Sequence, residues 1–228
     1  MATAVPVVAI DGPSGSGKGT VSRALAERLG WHFLDSGALY RLVALAARQR
    51  GVDLDDEDRL AEVARALDVE FEVEPDGERV WLDGGDVTAE IRTEKAGDSA
   101  SQVARLGGVR QALLERQRRF ARPPGLIADG RDMGGVVFPA ARLKVFLTAA
   151  PEERAKRRHK QLKEKGIDVS LRDLSREIAE RDLRDANRPV APLRPAEDAR
   201  VIDSTSLTPD EVVSRVLEWL RQIGIDRD

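Results

Sequence analysis

Gly12, Gly15 and Gly17 lead directly into Lys18 in the stretch GPSGSGKGT, Gly12 to Thr20. Glycines in such a turn let backbone N–H groups point inward around phosphate oxygens, and a lysine at its end reaches the outer phosphates as a point charge. The flanks suit that chemistry. The apolar run Val5 to Ile10 reads as a buried strand. Val21, Ala24, Leu25, Arg28 and Leu29 recur at helical spacing, so a helix N-terminus adds partial positive charge at the loop. The usual pattern places Ser or Thr straight after the lysine to hold magnesium. Gly19 stands there instead and Thr20 follows one place later, which leaves that ligand open.

Other polar residues sit where an α/β sheet binds ligands, beyond the carboxyl ends of apolar runs. Ser36 and Arg41 follow the short strand Trp31 to Leu34. Asp129 follows Leu126 to Ala128, and a carboxylate there can hold magnesium or its waters. Leu171, Leu174 and Ile178 mark one face of a helix that begins at Ser170. The same face continues as Arg181, Asp185 and Arg188, so an aliphatic stripe becomes ionic without changing direction. Its alternative is a solvated Arg181–Asp185 pair of little energetic weight. There is no Cys, which excludes disulfides, thiolate catalysis and cysteine zinc sites. His32 and His159 form no metal-spaced pair and read as structural or surface residues.

The elements that must place these residues alternate strand and helix. After the first unit come a helix over Ala38 to Gln49 and an acidic one over Asp53 to Leu67. The pattern then turns antiparallel: Val69 to Val73, a turn at Pro75-Asp76-Gly77, a strand Val80 to Leu82, and a turn over Asp83 to Asp86. Residues 63–105 read as a subdomain inserted into a core of 1–62 and 106–228. A basic helix spans Gly107 to Arg122. Leu143 to Leu147 is a further core strand, and Pro151 opens a helix that reaches a lysine-rich stretch, Lys163 to Gly166. Val201 to Asp203 is the last strand, and Thr208-Pro209-Asp210-Glu211 starts the last helix.

Charged residues make up 34% of the 228-residue chain, yet the net charge is only -3, which gives no general attraction to nucleic acid or anionic membranes. Aromatics at 4% offer no stacking groove for single strands. No run approaches the ~20 apolar residues of a membrane span, and the N-terminus carries no leader pattern. The expectation is a soluble, cytoplasmic protein.

Four strings in order, IDGPSGSGKGT, DSGALYRLVALAA, GLIADGRDMGGVVFP and RDLRDANRPVAPL, resemble bacterial cytidylate kinases over nearly the whole chain. The GKGT ending is itself typical of nucleoside monophosphate kinases. The resemblance implies an α/β P-loop kinase fold: a five-stranded parallel sheet flanked by helices, an inserted antiparallel subdomain for the monophosphate, and a helical lid over 151–187. It implies that Gly12, Pro13, Ser14, Gly15, Ser16, Gly17, Lys18, Gly19 and Thr20, with Arg157 and Arg158 of the lid, bind ATP. By the same similarity Arg41, Arg131 and Arg188 hold the phosphate of CMP, with Ser36 beside it. Ser101, Arg110 and Asp132 recognise cytosine, and Arg181 and Asp185 meet the ribose. Asp129 lies near magnesium, directly or through water. Lys18, Arg131, Arg188 and Asp129 would carry the chemistry.

The reaction so implied is ATP + CMP giving ADP + CDP, with dCMP also accepted, by a monomer. A phosphate acceptor is already anionic, so no general base is required and the task is electrostatic. Two rivals remain at this stage. One is a kinase of the same fold acting on UMP or shikimate. The other is a GTP-binding switch, for which Asp132 to Gly135 supplies a D-x-x-G pattern but no N-K-x-D motif follows.

Overall fold

The structure, a computed structural model, describes residues 5–74, 77–164 and 166–225. It divides into two compact units, residues 36–117 and the remainder.

The larger unit is built on a parallel sheet in the order β2–β6–β1–β7–β8. Its strands are β1 (Val7–Asp11), β2 (His32–Asp35), β6 (Leu126–Gly130), β7 (Leu143–Thr148) and β8 (Arg200–Asp203). β1 lies between β6 and β7, with Ile10 level with Asp129 and Val145. Every residue of β1 is buried, as a strand covered on both faces requires. Helices α1 (Lys18–Leu29) and α8 (Pro209–Gln222) pack together. They close a core of Val8, Ile10, Leu25, Leu147, Val213 and Leu220. α1 stops at Gly30 in the left-handed conformation, and α8 starts with the Thr208–Glu211 capping box its sequence announces. Helices α6 (Pro151–Glu164) and α7 (Leu171–Ala186) occupy the expected lid span and pack on each other.

The smaller unit contains the expected 63–105 insertion and more. In chain order helices α2 (Ser36–Gln49) and α3 (Glu57–Arg65) open it and α5 (Gly107–Arg118) closes it. α2 explains the wider boundary: Leu39, Leu42, Val43 and Ala46 are fully buried, and α2 packs on α3 and on α4 (Glu94–Val103). An antiparallel sheet, β3 (Val69–Glu74), β4 (Gly77–Leu82) and β5 (Gly85–Asp86), completes the unit. The turn expected over four residues narrows to Asp83 and Gly84, both at positive φ, the two-residue hairpin geometry that matches strand twist. Pro75 and Asp76 of the other expected turn lie outside the described residues.

The sequence pattern does not announce α4. Its buried residues are Gly97, Ala100, Ser101 and Val103, too small to give an apolar stripe. Its one clear sign is the N-cap, where Thr93 Oγ1 accepts from the Ala96 amide at 3.2 Å. α3 is shorter than Asp53 to Leu67, because Asp56 caps it by accepting from the Arg59 amide. α5 likewise ends at Arg118, four residues before the expected Arg122.

Candidate active site

The glycine loop follows β1 without a break. Gly12, Gly15 and Gly17 have φ of 149°, 77° and 91°, values L side chains rarely adopt. Gly12 is confined by space as well: a Cβ there would lie 2.0 Å from the Leu147 carbonyl oxygen. Lys18 is buried at the start of α1, and its Nζ donates to the Pro13 carbonyl at 2.8 Å. Ser16 Oγ is buried with no hydrogen-bond partner among the described residues. A buried hydroxyl in a cradle of turned amides is suited to phosphate oxygens.

Around Lys18 the carboxyl ends of the strands gather a charged cluster. Lys18 interacts with Arg131, Asp129, Arg181 and Asp11. Burial lowers its pKa to about 7, helped by Arg131 and Arg181 and opposed by Asp129 and Asp11. Burial also raises the Asp129 carboxyl to about 6, with Asp35 adding to the rise and Lys18 opposing it. Asp129 Oδ2 lies 3.6 Å from where a side chain at Gly19 would begin. Thr20, one place on, is exposed on α1.

Arg131, just past β6, donates from Nε to Asp185 Oδ2 at 3.1 Å. Burial works against the Arg131 charge, but Asp185 and Asp129 outweigh it and raise the pKa. Burial likewise works against the Asp185 carboxylate, but Arg131, Arg188 and Arg181 overcome it and hold the group below its ordinary range. Arg188 Nη2 lies 3.7 Å from Asp185 Oδ1. The ionic continuation of the α7 stripe therefore turns inward: Leu174, Ile178, Asp185 and Arg188 are all buried, while Leu171 at its start is exposed. Asp132 is buried beside this cluster, directly ahead of a π-type turn, Met133–Val137. In the sequence, Asp132 stands out through the resemblance and through a D-x-x-G pattern, and neither announces this turn.

The two α6 arginines expected to bind ATP separate. Arg157 Nη1 lies 3.9 Å from a Cβ placed on Gly17, and its guanidinium reaches Ser204 Oγ at 3.2 Å and the Ser204 carbonyl at 2.6 Å. Arg158 points to Gln161 Oε1 at 3.2 Å.

Ser36, Arg41, Ser101 and Arg110 belong to the smaller unit. Ser36 opens α2, and its Oγ donates to Gln117 Oε1 at 2.7 Å, both residues buried. Ser101 on α4 and Arg110 on α5 are also buried. Arg110 holds its guanidinium carbon 6.0 Å from the Tyr40 ring centre, and Nη1 donates to the Ala104 carbonyl at 3.3 Å. Arg41 borders a cavity of about 190 Å3 together with Arg48 and Lys95. Its Nε is buried with no hydrogen-bond partner among the described residues.

Sequence reasoning missed Asp11, Arg154, Gln117 and Ser204. Arg154 shares a helix turn with Arg157 and Arg158, so only its burial distinguishes it. Ser204 follows β8 at the carboxyl edge, and that position was its one available signal. It donates to the Ser16 carbonyl at 3.1 Å.

Among the described residues no cluster of three or more His, Cys, Asp or Glu could hold a metal, and no helix is long and apolar enough to cross a membrane. Magnesium that arrives on a nucleotide uses one or two carboxylates, with phosphates and water completing its shell. Asp129 fits that role. It is a buried carboxylate raised by its surroundings, a state that a nearby cation relieves.

The family model described as "Cytidylate kinase" matches residues 8–222. A cytidylate kinase from Vibrio parahaemolyticus is 59% identical over 220 residues, covering 96% of this chain and 97% of its own. One from Aeromonas salmonicida is 58% identical over 217 residues, covering 95% and 94%. One from Stutzerimonas stutzeri is 60% identical over 215 residues, covering 93% and 94%.

Proposed function

The chain belongs to the cytidylate kinase family, and from that membership we propose both a reaction and a division of labour among its residues. The protein is a phosphotransferase that moves the γ-phosphoryl group of ATP to CMP, giving ADP and CDP. It accepts dCMP as well, works as a monomer in the cytoplasm, and needs no nucleic-acid or membrane partner.

The loop from Gly12 to Thr20 holds the phosphates of ATP, with Arg157 and Arg158 closing over them. Lys18 is the cation at the transferred group. Arg41, Arg131 and Arg188 grip the acceptor phosphate, and Ser36 lies beside it. A guanidinium suits this better than an ammonium because its fork binds two oxygens at once. Ser101, Arg110 and Asp132 read the cytosine edge, while Arg181 and Asp185 bind the ribose. Asp129 holds magnesium, directly or through water. When bound, the metal offsets negative charge on the donor phosphates.

The chemistry asks no residue to remove a proton, since the acceptor oxygen is already ionised. What the residues must overcome is repulsion between two polyanions. Arg131 is pre-aligned by its bond to Asp185, so little reorganisation is needed when charge spreads in the transition state. Closure of α6 and α7 excludes water, which would otherwise compete as acceptor.

The observation that most supports this reading is the meeting of Lys18, Asp129, Arg131 and Asp185 in one interacting cluster at the carboxyl edge of the sheet. The test is a coupled ADP-release assay with magnesium, ATP or GTP, and a panel of CMP, dCMP, UMP and shikimate. The expected result is saturable turnover with CMP and dCMP, driven by ATP. Turnover confined to UMP or shikimate, or to GTP as donor, would overturn it.

A further inference from the structure

Asp11 is the last residue of β1 and directly precedes Gly12 of the phosphate loop. Its carboxylate reaches the turn that follows β6. Oδ1 accepts from the Met133 amide at 2.8 Å and Oδ2 accepts from the Gly134 amide at 2.9 Å. These are the first two amides of the π-type turn, and the residue just before them is Asp132. The turn closes on itself through Phe138 N–H to the Met133 carbonyl at 2.7 Å and Val136 N–H to the Asp132 carbonyl at 2.9 Å. It is also packed from two sides. A Cβ on Gly130 would meet Met133 Cγ at 2.7 Å, and one on Gly134 would meet the Lys144 stem at 3.1 Å.

A buried carboxylate is costly, and this one is 5% exposed. Burial, together with the nearby Asp132, raises it to about 7 against the two amide bonds and Lys18. Of the short side chains only a carboxylate offers two acceptors to two successive N–H donors. Asparagine has one acceptor oxygen and turns an NH2 donor toward the other amide, which leaves one buried donor facing another.

We propose that Asp11 is a positioning residue for acceptor-base selectivity: by gripping the Met133 and Gly134 amides it sets the backbone orientation of Asp132. The inference rests on the reading that Asp132 contacts the cytosine edge. It assigns to a residue at the root of the ATP loop a role on the opposite substrate.

Four proteins test this: the parent, D11N, D132N and the D11N/D132N double variant. For each, kcat/KM is measured with CMP and with UMP, and KM with ATP. The expected result is that D11N lowers the CMP-over-UMP preference about tenfold or more, as loss of a positioned polar contact does. Its KM for ATP stays within about threefold of the parent, and D11N adds nothing further to the preference once D132N is present. A D11N enzyme that loses activity equally on both acceptors, beside a D132N enzyme that loses preference, would overturn the role of Asp11 alone. An unchanged preference in D132N would remove the reading of Asp132, and this inference with it. Should D11N fail to fold, D11E replaces it: the carboxylate persists one methylene further out, and the same loss of preference is expected.

Discussion

Arg154 grips Asp182 with both ends of its guanidinium, Nη1 to Oδ1 at 3.0 Å and Nη2 to Oδ2 at 2.5 Å, and the same Nη1 reaches the Ser14 carbonyl of the phosphate loop at 3.0 Å. Nε completes the set with the Ala149 carbonyl at 3.0 Å. One buried fork thus joins α6, α7 and the glycine loop. Lysine keeps the charge but concentrates it in one ammonium that cannot serve all three partners. Arg154→Lys is expected to cost about 2 kcal/mol, a fall in Tm of roughly 4–8 °C. Because Ser14 loses its tether, KM for ATP is expected to rise severalfold. Thermal melting and steady-state kinetics check both, and an unchanged Tm would mean the fork is replaceable.

Lys18→Ala separates chemistry from folding. The lysine is buried at a cost, so its removal is expected to spare the sheet and α1 while taking away the cation proposed to act on the transferred phosphate. Turnover is expected to fall about 10²–10³-fold or more, with the circular dichroism spectrum unchanged. Turnover within a fewfold of the parent would exclude Lys18 from the transition state.

The sequence carried the parallel sheet because its signals are local. Val7 to Asp11 is apolar throughout, Gly30 sits where α1 must stop, and Thr208 to Glu211 spell out a capping box. The inward turn of Asp185 and Arg188 was also legible, since Leu174 and Ile178 define the buried face of the same helix. Two kinds of feature were not. Small residues such as Gly97 and Ala100 pack a helix face without apolar periodicity, so α4 was not legible and Ser101 stood out only through a resemblance. Long-range pairs leave no spacing to read: Asp11 meets Met133, and Arg154 meets Asp182. A charged residue is drawn as solvated until the fold shows it buried.

Arg110→Met tests the smaller unit. Methionine fills the space of the arginine stem but loses the guanidinium near Tyr40 and its bond to Ala104. If Arg110 reads cytosine, KM for CMP rises about tenfold or more while KM for ATP moves less than about threefold. Equal losses for both nucleotides would contradict the assignment.

Nucleotide binding should also take up a proton. Lys18 in the free protein is held at about 7, chiefly by burial and then by Arg131. A bound triphosphate favours the ammonium and raises that value. At about pH 8.5, above the second phosphate pKa of about 6, the free enzyme holds Lys18 mostly neutral and the complex holds it charged. Calorimetric heats of ATP-analogue binding should therefore shift with buffer ionisation enthalpy in the sense of proton uptake. Affinity should weaken as pH rises above 7. The stability sign runs the other way, because the folded pKa lies below the ordinary 10.5. Lys18 contributes stability that is complete above 10.5 and lost as pH falls through about 7. In the absence of nucleotide, Lys18→Ala should thus gain Tm relative to the parent below pH 7. Heats independent of buffer at pH 8.5, together with parallel Tm curves for parent and variant, would show that Lys18 is already charged in the free enzyme.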